Sequence, residues 1–421
     1  MTERRVDDPA AAPPLRARVP FGPPDRTPDH HGASETAPGF LDPGGARVIL
    51  GAAPDPLGLA SPVAPGPKTL FGPRGAALLG PDGPLVVSDT GHHRLLGWNT
   101  PPTEDGAPAD WLLGQPSFDR EGRNAGGAAP GPETLNVPTG VAAYRGGLVV
   151  GDAWNNRVLL WRTMPRESGV PADLVLGQGD FLGGDPNRGT PEPGPDTMHW
   201  PFAVMAFGDT LVVGDAGNRR VLLWRTPPET NGAPADLVLG QPTMSTRSDN
   251  AGDAAGPGSL RWPHGLAVWA GDLVVSDAGN NRLLIWDGWP EASGAPAARV
   301  VGQPDFHSVD HNQGRYWPTA GTLNMPYDCD VLDGEHLVVA DTASSRLLRF
   351  RRGETEANAL AGQDRFDRKG DNGWKAPSRR SVCWPYGLRM DPGGRTLVVA
   401  DSGNNRVLLW DLSDRAEEGT P

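Results

Sequence analysis

Runs of two to five apolar β-formers, separated by turns rich in Gly, Asn and Asp, fill most of this 421-residue chain. Runs that short, with turn residues at both ends, predict strands and not helices. One strand-turn-strand pattern recurs six times. It reads Leu85-Val-Val-Ser-Asp89 with Arg94-Leu-Leu-Gly-Trp98, Val149-Val-Gly-Asp152 with Arg157-Val-Leu-Leu-Trp161, and Val212-Val-Gly-Asp215 with Arg220-Val-Leu-Leu-Trp224. Val274-Val-Ser-Asp277 with Arg282-Leu-Leu-Ile-Trp286, Val338-Val-Ala-Asp341 with Arg346-Leu-Leu-Arg-Phe350, and Val398-Val-Ala-Asp401 with Arg406-Val-Leu-Leu-Trp410 complete the set. The aspartates follow one another at intervals of 60 to 64 residues. A fixed period of this size belongs to a propeller or solenoid, whose units bury their apolar faces only against their neighbours.

Each unit divides into four strands. In the fourth copy, Pro263-His-Gly-Leu-Ala-Val-Trp269 is expected to lie innermost, followed by Leu273-Val-Val-Ser276, Arg282-Leu-Leu-Ile-Trp286 and an outer strand, Ala298-Arg-Val-Val-Gly-Gln303. The sixth copy stops after its third strand, at Trp410. Its missing outer strand has a counterpart near the other end of the chain, Ala46-Arg-Val-Ile-Leu-Gly51, which matches Ala109-Asp-Trp-Leu-Leu-Gly114. The expected fold is therefore all-β: a six-bladed β-propeller of four-stranded blades over residues 46–412, with an N-terminal strand closing the last blade. Residues 1–45, with nine prolines and no apolar periodicity, are expected to be a disordered tail in which His30 and His31 are solvated. Residues 413–421 are expected to be a short acidic tail.

Gly (57) and Pro (46) are abundant enough to suggest low complexity, but they recur in phase with the repeat and so read as turn residues. A net charge of −13 argues against general affinity for nucleic acid or an anionic membrane. No apolar run is long enough to span a bilayer, and the N-terminus lacks the apolar core of a secretion signal. Cys329 and Cys383 are too few for a disulfide framework. These features together predict a cytoplasmic protein; they leave its oligomeric state open.

Two copies are the most regular: Pro138-Thr-Gly-Val-Ala-Ala with Asp152, Asn155, Asn156 and Arg157, and Pro263-His-Gly-Leu-Ala-Val with Asp277, Asn280, Asn281 and Arg282. Their pattern resembles the NHL repeat family of six-bladed β-propellers, and the resemblance extends from Leu70 to Trp410. The repeats here are longer than the usual NHL unit, and their outer strands end in Leu-Gly-Gln. The resemblance implies a non-enzymatic platform that binds protein or RNA. Relatives of the same architecture include a zinc-dependent peptide-amidating lyase and calcium-dependent lactonase-like hydrolases, so it also implies an alternative, a metal-dependent enzyme.

The recurring Asp/Arg pairs read as turn chemistry, and the tryptophans 98, 161, 224, 286 and 410 with Phe350 as packing between blades. Non-repeating residues at repeating positions are more telling. Residues beside the blade-opening prolines should converge on the central channel: Phe71, Asn136, His199, Arg261, Asn324 and Cys383 two before, and Arg74, Thr139, Phe202, His264, Tyr327 and Tyr386 one after. Asp328 stands where other blades have Gly or Ala. His199, His264, Asp328 and Cys383 are thus a candidate ligand set for zinc or calcium in the enzyme alternative, with Tyr327 or Tyr386 stabilising charge. On the leading reading there is no cofactor and no catalytic residue. Instead, long loops on one face bind a protein, through Trp317, Tyr327, Trp374, Arg379, Arg380 and Tyr386. The loop at 364–382 carries Arg365, Arg368, Lys369, Lys375, Arg379 and Arg380 against three acids. It would hold an acidic or aromatic partner, or RNA in a third reading that the acidic total opposes.

Overall fold

The computed structural model describes residues 36–51 and 63–413. The chain divides into units of residues 1–36 and 37–421, and of the first only Thr36 is described. His30 and His31 and the acidic C-terminal tail from residue 414 lie outside the described residues.

The described strands form six four-stranded antiparallel sheets, with no α-helix among them. Blades 1 to 5 follow chain order, their inner strands starting at Gly75, Pro138, Pro201, Pro263 and Pro326. Blade 6 takes Pro385–Met390, Thr396–Asp401 and Arg406–Asp411 from one end of the chain and Val48–Gly51 from the other. Val48 pairs with Leu409 and Gly51 with Arg406, so the N-terminal strand closes the ring as its sequence match implied. Among the described residues no helix is long and apolar enough to cross a membrane.

Alternation explains why the strands read as unbroken apolar runs. Successive side chains point to opposite faces of a strand, and in a blade both faces are covered. Thus Leu85 and Val87 pack toward blade 6 while Val86 packs toward blade 2. The apolar core is six clusters, one at each junction of neighbouring blades, including the junction of blade 6 with blade 1 through Val48, Leu50, Val398, Ala76 and Leu85. Trp98, Trp161, Trp224 and Trp286 each bury the indole in a junction and donate Nε1–H to the carbonyl nine residues on, at 2.9–3.1 Å. Trp410 differs. It donates instead to Asp42, at 2.9 Å.

That contact corrects the expected tail boundary. Residues 37–45 are part of the ring: Phe40 and Leu41 are buried, Leu41 bridges to Leu412, and the Leu360 N–H donates to the Pro38 carbonyl. The apolar Phe40-Leu41 pair supplies the surface that a tail would lack. Arg379 then clamps the closing strand. Its guanidinium donates to the carbonyls of Ala46 (2.8 Å) and Arg47 (2.7 Å) and pairs with Asp105, whose Oδ1 also accepts the Ile49 N–H.

The six Asp/Arg pairs are buried, and they hold the turns. In every blade one carboxylate oxygen accepts the backbone N–H of the residue two before the opening proline, at 2.6–2.8 Å. The other accepts the arginine Nε–H, at 2.6–2.8 Å. Each arginine spends its remaining N–H groups on loop carbonyls, as Arg157 does on Phe181, Gly131 and Thr134. Every strong donor and acceptor is matched, which is what burial of charge requires. The Leu-Gly-Gln signature, which becomes Val-Gly-Gln in blade 4 and Ala-Gly-Gln in blade 5, belongs to the same frame. Gln115, Gln178, Gln241, Gln303 and Gln363 donate both to the turn between the second and third strands and to the long loop beyond.

Candidate functional site at the channel mouth

Antiparallel pairing puts four things at one face of the ring: the starts of the inner strands, the turns between second and third strands, the ends of the outer strands, and the long interblade loops. At this face the residue before each opening proline is left-handed: Gly72 (φ 53°), Val137 (57°), Trp200 (55°), Trp262 (60°), Met325 (51°) and Trp384 (48°). Glycine adopts this conformation freely, but a β-branched valine or a tryptophan does so at a cost of about 1–3 kcal/mol. The conformation is held from the neighbouring blade. The backbone N–H groups of Gly72, Val137, Trp200, Met325 and Trp384 donate to Asn405, His93, Asn156, Asn281 and Ser345. Those five acceptors, the last residues of their turns, are themselves left-handed. Of the residues before the prolines, Val137 and Trp384 line one pocket at the mouth and Trp200 another.

Two adjoining pockets open there. One, about 490 Å³, is lined by Phe71, Arg74, His93, Val137, Trp154, Trp384 and Tyr386. The other, about 370 Å³, is lined by Trp154, Asn156, Pro186, His199 and Trp200. Trp154 stands between them and is 59% exposed. Sequence reasoning missed it, although the signal was present: the turns of the other blades carry Gly or Ala where blade 2 carries Trp154.

Below the mouth the channel is plugged. As their register implied, the residues after the prolines converge: the Phe202 and His264 rings lie 4.2 Å apart, His264 stacks on Tyr327 at 4.5 Å, Tyr327 meets Tyr386 edge-on at 4.6 Å, and Arg74 lies 5.0 Å from the Tyr386 centroid. The space left in the plug holds only about 20 Å³. His264 donates Nδ1–H to the Trp262 carbonyl, and burial drives its pKa down to about 4. Asp328 accepts from Arg389 Nη1 at 2.8–2.9 Å and from the Leu388 N–H at 3.0 Å, and Asp330 accepts the Met390 N–H at 2.7 Å. These two acids satisfy the N–H groups on the open edge of the next blade's inner strand. Burial outweighs Arg389 and pushes Asp328 up to about 6.

The proposed ligand set does not assemble. His264 and Asp328 both line the plug, but Asp328 is engaged by Arg389; His199 packs over Gly217 and Cys383 over Gly403. Among the described residues no three His, Cys, Asp or Glu side chains are grouped to hold a metal ion. Both thiols are buried, which pushes Cys329 and Cys383 up to about 12. Of the expected contact set, Tyr327 and Tyr386 come together in the plug. Arg379 is committed to ring closure. Trp317 packs edge-on with Tyr316 beneath Lys369; Trp374, 76% exposed, and Arg380 stand on the surface.

Neutral His264 makes the plug acid-sensitive. Its folded pKa lies below the ordinary 6.5, so between these values the unfolded chain binds the extra proton. The contribution is complete above about pH 6.5 and is lost as pH falls toward 4, amounting to about 3 kcal/mol. Denaturation midpoints measured across this range should fall more steeply for the wild type than for His264→Phe. Parallel curves would contradict the assignment.

The NHL repeat family profile matches residues 260–286, which span the inner, second and third strands of blade 4. No curated protein matches the chain. Six four-stranded blades in a closed ring define the class: the chain is a six-bladed β-propeller, and its fourth blade matches the NHL repeat.

Proposed function

We propose that this propeller is a non-enzymatic platform that binds a partner protein at the channel mouth. The observation that carries the reading is the exposed Trp154 beside a ring of left-handed residues that includes Trp200, Trp262 and Trp384. Gly72 adopts this conformation without strain, yet three of the six equivalent positions accept the strain with a tryptophan, Trp200, Trp262 and Trp384. Aromatic side chains of this size dominate the energetics of protein interfaces. The NHL-repeat fold supports the same reading, because such propellers commonly serve as interaction surfaces. The proposed surface differs from the sequence-derived contact set. It keeps Tyr386 and adds Trp154, Trp384 and Phe71, while Arg379 serves the ring.

Trp154→Ala combined with Trp384→Ala is expected to weaken partner binding by about 30-fold or more, at unchanged thermal stability for the Trp154 change alone. Quantitative affinity capture with the wild-type and variant proteins checks it. Equal recovery of every retained protein by the two would sink the reading.

A further inference from the structure

Among the described residues, Arg74 is the one permanently charged side chain lining the 490 Å³ pocket. It also lines the small cavity of the plug, so with Tyr386 it forms the floor of one and the roof of the other. Most of the deeply placed arginines of this ring face carboxylates: Arg94, Arg157, Arg220, Arg282, Arg346 and Arg406 their turn aspartates, Arg389 Asp328, and Arg379 Asp105. Arg74 differs. Among the described residues its guanidinium makes no hydrogen bond and no ion pair, and its one side-chain contact of note is the face of Tyr386. His93, on the same wall, accepts the Val137 N–H at Nδ1, and burial holds it below its ordinary pKa, so it adds no charge at neutral pH. Apart from the hydroxyls of Thr90 and Ser402, which donate to the Pro138 and Pro73 carbonyls, the other described lining residues are apolar or aromatic, and none of the described ones is an acid.

A half-buried guanidinium without a counter-ion is costly unless something brings one, and its planar fork fits a carboxylate through two parallel hydrogen bonds. The second pocket extends the surface past Trp154, which suits an elongated ligand better than a compact one. We propose that the mouth captures the C-terminal carboxylate of a partner polypeptide. The carboxylate would lie on Arg74, the last apolar side chain among Phe71, Val137 and Trp384, and the preceding residues across Trp154. This rests on the partner-binding reading and specifies what part of the partner enters.

The test uses the full chain and a peptide library randomised over its last four residues, offered once as free acids and once as carboxamides. 3-Phenylpropionate serves as a small carboxylate control. The expected result is enrichment of free acids ending in an apolar residue, by about tenfold or more over the amides. Arg74→Gln should abolish the preference, and Arg74→Lys should keep part of it. Arg74 lies outside the buried ion-pair frame, so both variants should unfold at the wild-type midpoint, and circular dichroism checks that. Equal retention of acids and amides, no retention of either, or binding of 3-phenylpropionate without any peptide would each overturn the proposal. Loss of partner in the Trp154 and Trp384 variants alongside full binding by Arg74→Gln would overturn it alone and leave the platform reading standing.

Discussion

Asp215→Ala is expected to destabilise the ring by about 3–5 kcal/mol, because it breaks a buried charge pair from one side only. Asp215 is fully buried and accepts three hydrogen bonds: from the His199 N–H at 2.8 Å, from Asn218 at 2.7 Å and from Arg220 Nε at 2.8 Å. Without it Arg220 still donates to the carbonyls of Met244, Gly194 and Thr197, but those dipoles do not neutralise a fully buried guanidinium. The His199 N–H, which fixes the entry into blade 3, also loses its acceptor. Replacing Arg220 by methionine together with Asp215→Ala removes the stranded charge, and should cost less than Asp215→Ala alone. Guanidinium denaturation of the wild type and the two variants measures both effects. A loss below about 1 kcal/mol for Asp215→Ala would mean that the pair is not buried as described.

The architecture was readable because it is written six times. Asp, Arg and Trp at fixed offsets disclosed the blades, and the match of residues 46–51 with residues 109–114 disclosed the closure. The convergence of Phe202, His264, Tyr327 and Tyr386 followed from register alone. What escaped was anything set by backbone conformation or by distant partners. A residue before proline is ordinarily extended, so nothing in Trp200-Pro201 or Trp384-Pro385 announced a left-handed ring. Arg379 read as one of six basic residues in a loop, yet it pairs with Asp105, 274 residues away, because ring closure brings the ends together. The Leu-Gly-Gln glutamines have carbonyl partners on neighbouring segments, and carbonyls leave no mark in a sequence. The mouth itself was half-legible. The offset from proline places Tyr386 and Arg74 at the channel, whereas Trp154 stands in a turn that repeats in all six blades.

Blade 1 contains an exchange of volume that predicts the second large effect. Gly97 pairs across the sheet with Trp111, where blade 2 pairs Leu160 with Leu174 and blade 3 pairs Leu223 with Leu237. Trp111 is fully buried and donates Nε1–H to Asn99 Oδ1 at 3.1 Å, and its ring lies over the bare Gly97 backbone, in the space that a Cβ would need. Trp111→Ala therefore empties a core site and should cost about 3–5 kcal/mol. Gly97→Leu drives a side chain into a ring that cannot move, and should cost about 3 kcal/mol or more. The double variant Gly97→Leu with Trp111→Leu restores the pair found in blades 2 and 3 and roughly conserves volume. Its loss should stay within about 1.5 kcal/mol, well below the sum of Gly97→Leu and Trp111→Leu measured singly. A double-mutant cycle by chemical denaturation decides the matter. Simple additivity of the two losses would mean that Trp111 does not occupy the space above Gly97, and that the outer strand of blade 1 is held by some contact other than this ring.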